Sequence, residues 1–139
     1  MSGPEWALQV GVRTALSNDA GVKAWLGDPA RIYDEAPDDP VFPYLTYGRS
    51  ESRPADGDGA PVTEHVLHLH LWSRYGGRRE AKQGVAAVRT ALHDASFALD
   101  GHTLGSLKTT YTDVFRVGDG RTVHGVVRLR ALTEPEAEE

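Results

Sequence analysis

Cysteine is absent from the 139-residue chain, which removes disulfides, thiolate metal sites and cysteine nucleophiles together. Long apolar runs are absent as well, and nothing approaches the roughly 20 residues that carry a helix across a bilayer. No membrane partner is therefore expected. The opening MSGPEWALQ has no charged segment followed by an apolar one, so no secretory signal is read there. The chain is expected to stay in the cytoplasm or inside something assembled there. A basic stripe suited to tight nucleic-acid binding is missing: net charge is −5, and Arg74, Arg78, Arg79 and Lys82 make only a short cluster, read as a solvated helix start. No G-x-S-x-G elbow occurs, and Gly57-Asp58-Gly59 and Gly118-Asp119-Gly120 do not continue as a phosphate loop.

What is present is enough apolar material for one domain of ordinary size. Its most telling stretch is TEHVLHLHLWSR, Thr63 to Arg74, a β-strand with two committed faces. Leu67, Leu69 and Leu71 fall on one side, and Val66, His68, His70 and Trp72 on the other. The leucine side needs a core. The second side is too apolar and aromatic for a plain wetted face, so another surface is expected to rest on it. That surface is either another subunit or a helix of the same chain; with a helix there, the leucines would face a partner.

The rest of the chain arranges itself around this strand. Pro4 to Leu16 reads as a helix with Ser2 as N-cap and a core face of Leu8, Val12, Ala15 and Leu16. Asn18 to Gly21 reads as a breaker, followed by a short helical turn that carries the packing plug Trp25 and Leu26. Arg31 to Asp34 is a short strand, and the proline-rich EAPDDPVFP after it forbids regular structure. Tyr44 to Arg53 is a strand with Tyr44, Thr46, Gly48 and Ser50 on one side and Leu45, Tyr47, Arg49 and Glu51 on the other. Pro54 to Pro61 has the composition of a mobile loop, longer than a hairpin requires, and is either functional or disordered.

A second helix is expected from Arg78 to His93, buried along Ala81, Val85, Val88 and Leu92, with Ala86, Ala87 and Ala91 allowing close approach to a sheet. Leu104 to Phe115 is strand-like, with Leu107, Thr109, Tyr111 and Phe115 on one side. Gly118-Asp119-Gly120 signals a tight hairpin. Val123 to Leu132 closes the series, with His124, Val126, Arg128 and Arg130 facing away from the core. The order predicts an α+β domain, a mainly antiparallel sheet with two helices packed on one face. The domain is placed at residues 1–133, and the acidic stretch 134–139 is expected to fray.

His68 and His70 put two imidazoles on one strand face, a spacing that chelates a divalent ion when a third ligand joins. His65 points the other way, and nothing in the sequence brings His102 or His124 near. An ordinary interface pair accounts better for them, and no cofactor is expected.

The segment RIYDEAPDDPVFPYLTYG, the strand TEHVLHLHLWSR, the helix GRREAKQGVAAVRTALHD and the following FALDGHTL together resemble the tail completion family of tailed phages, in the version carried by gene transfer agents. The likeness runs from about Glu5 to Pro135. It implies a tail terminator, not an enzyme: a ring, commonly a hexamer, on the head-proximal end of a tail tube, assembled in the bacterial cytoplasm. Such a ring stops tube polymerisation, meets the head connector and lets DNA pass through its lumen without specific binding. The residues expected at a subunit or tail interface are Val66, His68, His70, Trp72, Arg49, Glu51, Arg53, Asp56, Asp58, Arg128 and Arg130. Two other classes compete with this reading, a metal-dependent enzyme built on His68 and His70 and a small-ligand binding module.

Overall fold

The structure, a computed structural model, describes residues 3–56 and 61–136. Ser2 and Asp58 lie outside the described residues, as do Gly57, Gly59 and the last three residues of the acidic stretch. Helix α1 is Pro4–Asn18, α2 is Ala20–Leu26 and α3 is Arg79–Leu92. The strands are β1 Ile32–Tyr33, β2 Tyr44–Pro54, β3 Thr63–Ser73, β4 His102–Arg116 and β5 Val123–Pro135, in the sheet order β1-β2-β3-β5-β4. Only the two-residue β1 pairs in parallel, so the sheet is mixed and mostly antiparallel, and the fold class is α+β. No helix among the described residues is long and apolar enough to cross a membrane.

Three helices form where the sequence predicts two and a turn. The stretch read as a breaker holds only one: Asp19 adopts an extended conformation and ends α1, and its carboxylate accepts from the Val22 N–H at 3.0 Å to start α2. Leucine and valine at helical spacing bring Leu8, Val12, Leu16, Val22, Leu26, Val85, Val88 and Leu92 into one cluster with Leu45, Leu67, Leu69, Leu71, Leu107, Val127, Leu129 and Ala131 of the sheet. Burying such side chains supplies about 1.5–3 kcal/mol each, which is where the stability of the fold originates. The leucine side of β3 therefore turns inward to the core, and the reading in which it faced a partner is set aside.

Helix α3 buries the expected Ala81, Val85, Val88 and Leu92, and Ala87 and Ala91 pack against the core cluster. Ala86 is exposed. Gly84 is the contact point: a Cβ there would run into the ring of Trp25, whose indole N–H donates to the Glu80 carbonyl at 2.7 Å. Trp25 and Leu26 are thus packing residues that join α2 to α3.

Three bulges interrupt the outer strands, one in β2 and two in β4, at Gly105 and Thr110. In β2 the register slips between Tyr47 and Ser50, so Gly48 and Arg49 together oppose one residue of β3. Leu45 and Tyr47 stay on the leucine side, but Ser50 joins them, while Glu51 and Arg53 cross to the side of Val66. In β4 the slip at Thr110 leaves Leu107 and Thr109 on the core side and sends Tyr111, Asp113 and Phe115 to the other. Both strands were expected to alternate without interruption, and an unbroken period of two cannot show an extra residue. β5 also runs past Leu132, with Thr103 opposite Glu134 and His102 opposite Pro135. β2 likewise takes in Pro54, read as the start of the loop, and β3 begins at Thr63 as expected.

Candidate interface on the second face of the sheet

The strand register lines up one row across four strands: Tyr44, Trp72, His124 and Phe115 are successive cross-strand partners. Their rings touch in that order. Tyr44 and Trp72 stack at 6.2 Å between centroids, Trp72 and His124 at 4.0 Å and 15° between planes, and His124 meets Phe115 at 4.9 Å. Phe42 extends the row beyond Tyr44 at 5.0 Å and is capped by the Arg74 guanidinium at 4.4 Å. Offset and tilted ring pairs of this kind contribute about 0.5–1.5 kcal/mol each beyond the area they bury. The Trp72 indole N–H donates to the Thr46 hydroxyl at 3.0 Å, so its polar edge is satisfied within the sheet.

Beside this row His70 and His124 face each other, Nδ1 to Nε2, at 2.6 Å. One ring must donate and the other accept, which excludes the state with both rings fully protonated. Burial pushes both imidazoles below their ordinary value; His124 falls to about 4, first by desolvation and then by charge on His70, with Asp113 opposing. Gly48 makes room for this pair, since a Cβ there would collide with the His70 ring. His68 turns instead toward the Arg49 carbonyl at 3.3 Å. The HxH pair on one strand is thus separated, and the pairing is across strands to His124, a residue that sequence spacing could not bring near.

Further along the face Arg128 lies over the Tyr111 ring at 4.5 Å. Beyond it Glu64, almost buried, accepts from Arg53 Nε and Arg130 Nε, both at 2.6 Å. These two charge-assisted bonds hold its carboxyl below the usual carboxylate range. Glu64 escaped notice in the sequence because an acid at a strand end reads as a solvated charge. Arg49 pairs with Glu51 at 3.3 Å, both exposed. Asp56 accepts from the Val62 N–H at 3.0 Å, bracing the hairpin end. The expected residues Val66, His68, His70, Trp72, Glu51, Arg53, Arg128 and Arg130 therefore do share one face, and Asp56 stands at its lower margin. The residues missed are Tyr44, Phe115, Tyr111 and Glu64.

Among the described residues no group of three His, Asp or Glu side chains could hold a metal ion. An apolar groove of about 490 Å³ between α1 and residues 97–100 is lined by Trp6, Val10 and Phe97 among others, with Asp100 the one ionisable residue along it. What the face offers is flat, aromatic and half-buried, with charged pairs around it, the composition of a protein contact.

Residues 10–134 match the family model described as tail completion protein gp17. The tail completion protein gp17 of Bacillus phage SPP1 is 30% identical over 95 residues, 67% of this chain and 68% of that protein. Among solved structures, a chain from the virion of a native gene transfer agent particle superposes with a TM-score of 0.84 at 26% identity, over 96% of this chain and 99% of that one.

Proposed function

The chain belongs to the tail completion protein gp17 family, a phage-type tail structural protein matched to a gene transfer agent virion, and from that membership we propose that it is a tail terminator. In this reading six copies of the chain close into a ring that caps the head-proximal end of a tail tube. The ring ends tube polymerisation, presents its other side to a head connector protein, and leaves a lumen for DNA. The role is structural and needs no cofactor or catalytic group. The observation that carries it is the second face of the sheet, where the aromatic row runs from a buried Tyr44 through half-buried Trp72 and His124 to an exposed Phe115. We infer that all three helices cover the leucine face. The aromatic face, with Val66, His68, His70, Arg128, Arg130, Glu51 and Arg53, is then left for a neighbouring copy or the tube, with Arg49 and Asp56 beside it.

A ring of identical subunits requires heterologous contacts, one surface of each copy meeting a different surface of the next. The acidic balance suits a channel through which DNA slides without being held. The test is polymerisation of the tail tube protein with and without this chain, read as tube length by electron microscopy. Tubes should stop at a narrow length and carry density at one end only. Unchanged length distributions, together with a monomeric native mass in the presence of tube, would refute the proposal.

A further inference from the structure

We propose that neighbouring copies join edge to edge, the free part of β2 in one copy pairing antiparallel with the free part of β4 in the next, so that one sheet continues through the assembly. This rests on the ring reading above and specifies its contact. β1 pairs with β2 only at Leu45 and Thr46, so from Tyr47 onward the outer side of β2 has no strand beside it. At the other margin, the Leu107 carbonyl and the Thr109 N–H of β4 are taken by Asp94 N–H and His93 Nδ1, but the strand beyond the Thr110 bulge is bare. Among the described residues no backbone bond reaches the outer side of Ser50–Ser52 or of Thr112–Arg116. Both stretches are largely exposed and contain neither Gly nor Pro. Long bare edges of this kind are templates for another strand unless something blocks them.

The two edges match in three respects. Direction is the first: β2, β3, β5 and β4 are successively antiparallel, so β2 and β4 run oppositely and can pair without turning either copy over. Phase is the second. The Ala55 N–H donates to Val62 at 2.8 Å, and the Val117 N–H to Thr122 at 2.9 Å. Alternation from those bonds turns the backbone of Ser50, Ser52 and Pro54 outward in β2, and that of Thr112, Val114 and Arg116 outward in β4. Pro54, which has no N–H to offer β3, occupies an outward position. All these residues have their side chains on the leucine side, so pairing keeps both faces of the sheet continuous. Charge is the third: with Ser52 opposite Val114, Arg53 comes to lie opposite Asp113 on the aromatic side.

Position along the strands sets the shape. Within one chain Ser52 is level with Leu107, through His65 and Ala131. Opposite Val114 of the next copy it is displaced along the strand, and a sheet that closes needs such a stagger, with tilted strands.

Proline at position 52 removes an outward N–H while sparing the ladder to β3. Full-length Ser52→Pro should therefore lose assembly at least tenfold in concentration dependence by native mass spectrometry. Ser52→Ala, which equally lacks the side-chain bond to Glu5, should assemble like the parent. Because the chain has no cysteine, Arg53→Cys with Asp113→Cys adds the only thiols. This pair would be non-hydrogen-bonded, about 4.5 Å between Cα atoms, which a disulfide can span. Oxidation should give a ladder of covalent multimers, whereas Arg53→Cys with Ser106→Cys should not. Rings that persist in Ser52→Pro, or equal crosslinking by both cysteine pairs, would overturn edge pairing and leave the ring intact. A parent chain that stays monomeric with tube present would overturn both.

Discussion

At the scale of single residues, β3 separates two kinds of apolar side chain. Leu69 is fully enclosed among the core residues, and Leu69→Ala should cost about 2–5 kcal/mol through the cavity it leaves. Trp72 is half-buried, and Trp72→Glu is expected to lower thermal stability less than Leu69→Ala while impairing ring or tube association more. Equal stability losses with assembly intact in Trp72→Glu would show that the aromatic side is not a contact. The histidine pair makes a second prediction. His124 has a folded-state value of about 4, below the ordinary value of about 6.5, so between these the unfolded chain binds more protons. Its contribution to stability is complete above about pH 6.5 and is lost as pH falls toward 4. Urea midpoints should drop from pH 7 to pH 5, and by less in His124→Gln; equal drops in both chains would assign the acid sensitivity elsewhere. The alternation of leucine with histidine was legible in the sequence. The partner of His70 was not, because it comes from a strand 54 residues away.

At the scale of elements, glycines and bulges decide what periodicity leaves open. The stripe of α3 was readable from its 3.6-residue period, but the contact of Gly84 with Trp25 was not. Gly84→Ala gains about 1 kcal/mol of helix propensity, and against this the new methyl would displace Trp25, a strain of about 1–3 kcal/mol. The expected result is a lower melting temperature together with loss of slow hydrogen exchange at the Trp25 indole. An unchanged indole would mean that the α2–α3 contact relaxes freely. The bulge in β2 moves Glu51 and Arg53, and the Thr110 bulge in β4 moves Tyr111, Asp113 and Phe115, to the aromatic side. A bulge has no firm sequence signal; Gly48 and Gly105 were weak traces of two of them.

At the scale of the whole molecule, the sheet extends further than the apolar pattern suggests. Thr133 is buried and bonds to His65 at 2.8 Å, and the Glu136 N–H donates to Gly101 at 3.1 Å. A chain ending at Leu132 should therefore melt well below the full chain, because His65 loses its partner and β4 loses its lower pairs. An unaltered melting temperature would show that these pairs add nothing. Glu134 and Pro135 look like a tail when read alone, and only their partners in β4 reveal a strand.

The sequence by itself determined the α+β class, the inward leucines of β3, the core stripes of α1 and α3, and the family, since each depends on residue types at short spacing. Only the tertiary structure decided which histidine meets His70, which side the charged residues of β2 and β4 occupy, and where the sheet has bare edges. Those outcomes depend on register between distant strands. Shifting a strand by one residue exchanges its two faces, and no local pattern records that shift.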